Sequence, residues 1–296
     1  MHCINKRKGG WQMIRSMEQL VGLSRTREKE IWEIVLQEDA CEKNQEKEDI
    51  FRQMEGMYQA MKQTDACYDA RKSASGMVGD DGARLAAYHE SGKSLFGAFL
   101  CHVTERAIRI GECNACMKRV VAAPTAGSCG VLPAVLLSYQ EQSGRSDEDM
   151  TRALFVAAGI GEVIAQNACI AGAQGGCQAE IGTASAMVAA ALTWLQGGDQ
   201  DAVIHAAAIA IKGLMGLVCD PVAGLVEVPC VKRNVVGALQ AVSSSDLAMA
   251  GIRSVIPPDE VVLAMDEVGR NMPEAYRETG KGGLAATATG KMIAEK

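Results

Sequence analysis

The chain has 296 residues, 48% of them apolar, enough for one large domain or for a core with an appendage. A formal net charge of −6 and a sequence pI near 5.4 argue against a dedicated nucleic-acid binder, which carries a basic stripe. Twelve aromatic residues against 31 glycines and long alanine tracts imply a core of small side chains, favouring closely packed helices over an aromatic-rich β-sandwich.

The stretch Met1 to Gly10 is basic, but no apolar run follows it, so no secretory signal is read there. Eleven cysteines, an odd number, then imply a reducing compartment in which thiols are free, catalytic or metal-bound, and a cytoplasmic location is expected. Between Ser24 and Lys72, 21 of 49 residues are charged; between Ala153 and Cys230 only 7 of 78 are. Residues 1–72 therefore read as a charged N-terminal helical segment, an amphipathic pair with apolar stripes such as Ile31, Trp32, Val35 and Leu36. Ser73–Gly82 reads as the loop into a core of residues 73–296.

Within that core the signals are helical. Ser146-Asp147-Glu148-Asp149 is an N-terminal capping pattern opening the apolar run Ala153–Ile164. Val163–Ala179 and Ile181–Gly198 approach the length of a membrane span, but their Gly, Ala, Gln and Thr content reads as buried helices of a non-membrane protein. Ala202–Val218 reads as a helix buried on every side, and Pro257-Pro258-Asp259-Glu260 starts another, with its stripe at Val261, Val262, Met265 and Val268. No segment alternates apolar and polar residues convincingly, and no repeat occurs at 20–50 residues. The expected fold is all-α, a multi-helical bundle with Gly/Pro loops.

Familiar catalytic motifs are absent: no Gly-x-Ser-x-Gly elbow, P-loop, His-Glu-x-x-His helix or dinucleotide fingerprint occurs. Cys113-x-x-Cys116 lacks a second ligand pair, and Glu112–Arg119 fits a continuous helix on which the two cysteines share a face. His205 reads as a hydrogen-bonded core histidine, whereas His89 and His102 at polar edges suit proton transfer. The cysteines in Gly and Pro contexts carry more information. Cys129 lies in Gly127-Ser128-Cys129-Gly130, Cys177 in Gly175-Gly176-Cys177-Gln178-Ala179-Glu180, and Cys219 and Cys230 bracket Asp220–Pro229. Loops of this kind let thiolates converge on a metal and expose backbone N–H groups to sulfur. This chemistry alone does not choose between Cys177 and Cys129 as a third ligand beside Cys219 and Cys230.

Val120–Pro133, Gln174–Gly182, Cys219–Cys230 with Val231-Lys232-Arg233-Asn234, and Thr279–Ala285 together resemble the signatures of the iron–sulfur-dependent L-serine dehydratase α chain. The likeness runs from about Ser75 to the C-terminus and more weakly through the N-terminal helices. It implies a [4Fe-4S] cluster on Cys177, Cys219 and Cys230, with one iron left open as a Lewis acid for L-serine dehydration to pyruvate and ammonia. It also implies a separate β chain, a candidate source of the catalytic base. Some single-chain relatives end in a tail cysteine, and single-chain members carry a fused β region; this chain has no cysteine after Cys230, and only the charged helices precede its α region. Thr125, Ser128 and Asn167 offer hydroxyl and amide groups for substrate. A cluster-dependent L-cysteine desulfidase and a metal-free helical scaffold are the alternatives.

Overall fold

The computed structural model describes residues 14–295, so the basic stretch at Met1–Gly10 lies outside the described residues. Thirteen α-helices are joined by loops and short 3₁₀ turns, with no strand among the described residues, in agreement with the all-α expectation. They are α1 (Met17–Arg27), α2 (Ile31–Lys43), α3 (Lys47–Ala66), α4 (Asp81–Glu90), α5 (Ala98–Ala115), α6 (Val131–Ser143) and α7 (Asp147–Asn167). The second half contributes α8 (Gly172–Gly175), α9 (Thr183–Leu195), α10 (Gln200–Leu214), α11 (Cys230–Met249), α12 (Pro258–Asn271) and α13 (Ala288–Ala294). Among the described residues no helix is long and apolar enough to cross a membrane.

Helix α9 is the central element. Its run of Ala184, Ser185, Ala186, Ala189, Ala190 and Ala191 is buried all round, and it packs against α6, α7, α10 and α11. Small side chains let the backbones approach: a Cβ added at Gly237 of α11 would lie 2.7 Å from Ile181, just before α9. This is the close helical packing that the Gly and Ala excess implies. The charged N-terminal helices bury their apolar stripes in the same cluster, where Phe51 of α3 stacks on Phe155 of α7 at 5.8 Å. Three helices stand there in place of the expected pair, because Glu28 and Asn44 adopt left-handed conformations that end α1 and α2.

Both predicted helix starts are present: Ser146 caps α7, its Oγ accepting from Asp149 N at 3.1 Å, and Pro258 opens α12. Three expectations need correction. Val163–Ala179 is not one buried helix, because α7 stops at Asn167 and an irregular segment follows. Glu112–Arg119 is not a continuous helix either; α5 stops at Ala115, Cys116 caps it, and Met117 takes φ +58°. Helix α10 ends at Leu214 and leaves Lys212 and Gly213 exposed, so it is not buried on every side.

Candidate functional site

The irregular segment after α7 is where thiols converge. Gly176 has φ +73° and ψ 178°, a conformation open essentially to glycine alone, and it turns the chain so that Cys177 enters a single π-helical turn, Gln178–Gly182. Gln178 N donates to Leu217 O at 3.0 Å, joining this turn to the segment that carries Cys219. Cys219 is itself held by the backbone: its N–H donates to Tyr276 O, and its carbonyl accepts from Glu278 N, both at 2.8 Å. Cys230 is the first residue of α11, preceded by a cis Val228–Pro229 bond.

The Sγ atoms of Cys177 and Cys219 and a carboxylate oxygen of Glu180 all lie within 4.8 Å of one another. Both cysteines are buried, and Cys230, also buried, lies within electrostatic reach of Cys177. The Cys219 thiol donates to Cys177, and this bond, with the guanidinium of Arg233 beside it, holds the Cys177 thiol below its ordinary value. The same bond drives Cys219 far upward, while burial pushes Cys230 up to about 12. Burial also raises the Glu180 carboxyl, against the hydrogen bonds it accepts from the Thr125 side chain and the Gly172 backbone. Bare backbone surrounds that carboxylate: a Cβ on Gly172 would lie 2.7 Å from it and 3.2 Å from Cys219 Sγ. Buried thiols beside a carboxylate, with no disulfide among the described cysteines, are a donor set suited to a soft metal centre.

Of the residues expected at substrate, Thr125 reaches this cluster through Glu180. Ser128 is fully buried one turn on, donating to Ala123 O at 3.4 Å and Thr125 O at 3.2 Å. Asn167 ends α7, where its Nδ2 donates to Val163 O at 2.7 Å and Arg15 O at 2.8 Å. Cys129 is buried with its thiol toward Ile110 O at 3.9 Å, and Cys113 toward Thr64 O at 3.6 Å. The described histidines are engaged elsewhere: His89 meets Glu105 at 2.6 Å, His102 meets Glu141 at 3.2 Å, and His205 accepts from Ser254 N at 3.1 Å. Sequence reasoning did not single out Glu180, although a carboxylate three residues after a candidate ligand, in a stretch nearly free of charge, was the available signal.

The family described as serine dehydratase alpha chain matches residues 26–285. The chain belongs to this serine dehydratase α-chain family. It is 44% identical over 285 residues to a Bacillus subtilis (strain 168) protein named probable L-serine dehydratase, alpha chain, covering 96% of this chain and 95% of that one. It is 41% identical over 283 residues to the L-serine dehydratase, alpha chain, of Peptoniphilus asaccharolyticus, covering 95% and 97%. Identity to L-serine dehydratase TdcG of Escherichia coli (strain K12) is 45% over 181 residues, 60% of this chain and 40% of that protein. All the thiol and carboxylate groups of the site fall inside the residues that the serine dehydratase family matches.

Proposed function

We propose that this chain is the α chain of an L-serine dehydratase, a lyase that converts L-serine to pyruvate and ammonia. The observation that carries the reading is similarity along almost the whole length of relatives named for that activity and that subunit. In the proposed reaction L-serine loses its α-proton and its hydroxyl as water, leaving aminoacrylate. That enamine tautomerises and takes up water to release ammonia and pyruvate.

Cys177, Cys219 and Cys230 would hold a [4Fe-4S] cluster. Such a cluster, when bound, supplies a Lewis acid at an iron without a protein thiolate, which draws electron density from the serine hydroxyl and improves it as a leaving group. Burial of the three thiols keeps water and oxidants from the ligands. The Thr125 hydroxyl, which donates to Glu180, would meet the substrate beside that carboxylate. Ser128 holds the Thr125 turn, and Asn167 fixes the start of the segment leading to Cys177. No described histidine is directed to the cluster of thiols, so the base that takes the α-proton is assigned to a β chain. The described cysteines form no disulfide with one another, which suits a reducing, cytoplasmic setting.

The test is anaerobic co-purification with the β chain, followed by iron and sulfide analysis and pyruvate assays with L-serine, L-cysteine and L-threonine. Bound iron and sulfide with fastest turnover of L-serine are expected. Iron-free protein that still deaminates L-serine would remove the cluster from the reading. Faster pyruvate formation from L-cysteine would replace the dehydratase with a desulfidase.

A further inference from the structure

Arg233 lies three residues beyond Cys230, in the first turn of α11, and its side chain is 13% exposed. It makes three directed contacts: Nη1 donates to Cys177 Sγ at 3.3 Å and to Val218 O at 2.8 Å, and Nη2 donates to Asp220 Oδ1 at 2.8 Å. Asp220, 4% exposed, accepts at its other oxygen from Leu284 N at 2.7 Å. Gly283, at φ +58°, brings the backbone so close that a side chain there would collide with Asp220. The Thr279–Ala285 loop, a sequence signature without a thiol or an obvious catalytic group, thus ends on the carboxylate next to Cys219.

We propose that Asp220 and Arg233 form a positioning couple for the metal centre, aiming the Cys177 sulfur as a ligand, with the Thr279–Ala285 loop fastening the couple through Leu284. The proposal rests on Cys177 being a metal ligand. Its physical basis is the geometry of the guanidinium. A planar fork serves a sulfur, a carbonyl and a carboxylate at once, whereas the ammonium of lysine is a point charge on a flexible stem. A charged N–H donor on a ligating sulfur orients that ligand and stabilises its electron-rich form. One couple therefore links the turn carrying Cys177, the segment carrying Cys219 and the helix opened by Cys230. An ion pair that served only to hold the fold would have no need of the contact to Cys177.

The test uses full-length protein purified anaerobically, with iron and sulfide per chain, the rate of iron loss to an external chelator, and far-UV circular dichroism to confirm folding. Arg233→Gln and Asp220→Asn are expected to lose iron roughly 10–100-fold faster than the parent while keeping helical content, with Arg233→Lys falling between. Folded Arg233→Gln and Asp220→Asn proteins that release iron at the parental rate would overturn the couple. If the glutamine variant does not fold, Arg233→Lys decides: a parental rate overturns the proposal and a faster one supports it. An iron-free parent would defeat the metal reading itself and the couple with it, whereas an iron-replete parent with unchanged variants defeats the couple alone.

Discussion

Gly176→Ala is the sharpest probe of how the fold delivers Cys177. The native backbone there, φ +73° and ψ 178°, belongs to a region that a side chain enters at a cost of about 1–3 kcal/mol. A Cβ would stand 2.8 Å from the Cε and Sδ of Met272 and 2.9 Å from Leu217 O. The methionine tip can swing away. The carbonyl is backbone and already accepts from Gln178 N at 3.0 Å, so relieving that overlap costs a further ~1–3 kcal/mol. The expected destabilisation is roughly 2–6 kcal/mol, with the strain centred on the turn that presents Cys177. Gly144→Ala is the matched control: it has φ +69° but no atom within 4 Å of its Cβ position, leaving only a left-handed penalty of about 1–2 kcal/mol. Thermal unfolding followed by circular dichroism reads the difference, at about 2–4 °C per kcal/mol for domains approaching this size. Iron per chain, measured after anaerobic purification, should fall in Gly176→Ala and persist in Gly144→Ala. Equal melting losses in the two variants, or full iron in Gly176→Ala, would refute the reasoning.

Cys177→Ala, Cys219→Ala and Cys230→Ala should each abolish pyruvate formation and strip iron, whereas Cys113→Ala, whose thiol faces Thr64 O, should retain both; activity in any of the first three removes that ligand. Glu112 is 1% exposed and accepts from Gly79 N at 2.7 Å, Asp81 N at 2.9 Å, Gly82 N at 3.2 Å and the Tyr68 hydroxyl at 2.7 Å. At ~1–3 kcal/mol for each buried donor left without a partner, Glu112→Ala should cost at least ~3 kcal/mol in urea unfolding, and a loss below ~1 would deny Glu112 its role as anchor of the Ser73–Gly82 loop. Burial pushes the Cys113 thiol from 9.0 to about 11, so above pH 9 the folded chain keeps a proton that the unfolded chain releases. This contribution to stability is complete below pH 9 and is lost as pH rises from 9 to about 11, at up to ~1.4 kcal/mol per pH unit. Cys113→Ala should flatten the slope of unfolding free energy over that window, and an unchanged slope contradicts the assignment.

What the sequence disclosed follows the range of the interaction responsible. Helix starts were legible because a cap is local: Ser146 reaches Asp149 three residues away, and Pro258 has its conformation fixed by its own ring. Helix ends were less so. Nothing in Cys116-Met117-Lys118 announces that Met117 will turn left-handed, and the uncharged run across Asn167 conceals a break at Ala168, where the backbone turns extended. The glycines at 172, 175 and 176 were the visible warning, since an uninterrupted buried helix has little use for three of them.

The site itself was half legible, and the division has a physical cause. Resemblance supplied the three cysteines, while chemistry alone left Cys177 and Cys129 equivalent, because both sit in glycine turns. The structure separates them by company: Cys177 accepts from a thiol and a guanidinium, whereas the Cys129 thiol points to a main-chain carbonyl at 3.9 Å, with the Cys113 thiol nearby and no cation among the described residues beside it. Charge scarcity is a further signal in the sequence. A charge buried in an apolar stretch must find a partner or be neutralised, so those of the seven between Ala153 and Cys230 that leave solvent mark structural commitments, unlike the exposed Asp199 and Lys212. Glu180, Asp220 and Glu227 are three of them, and all lie within or beside the segments that carry the thiols. Their partners could not be read from spacing. Asp220 meets Arg233 and Leu284, 13 and 64 residues on, and Glu227 accepts from Ser73 at 2.8 Å and from Ser75, more than 150 residues earlier. A sequence can thus show that a buried carboxylate needs a donor; only the fold brings that donor to it.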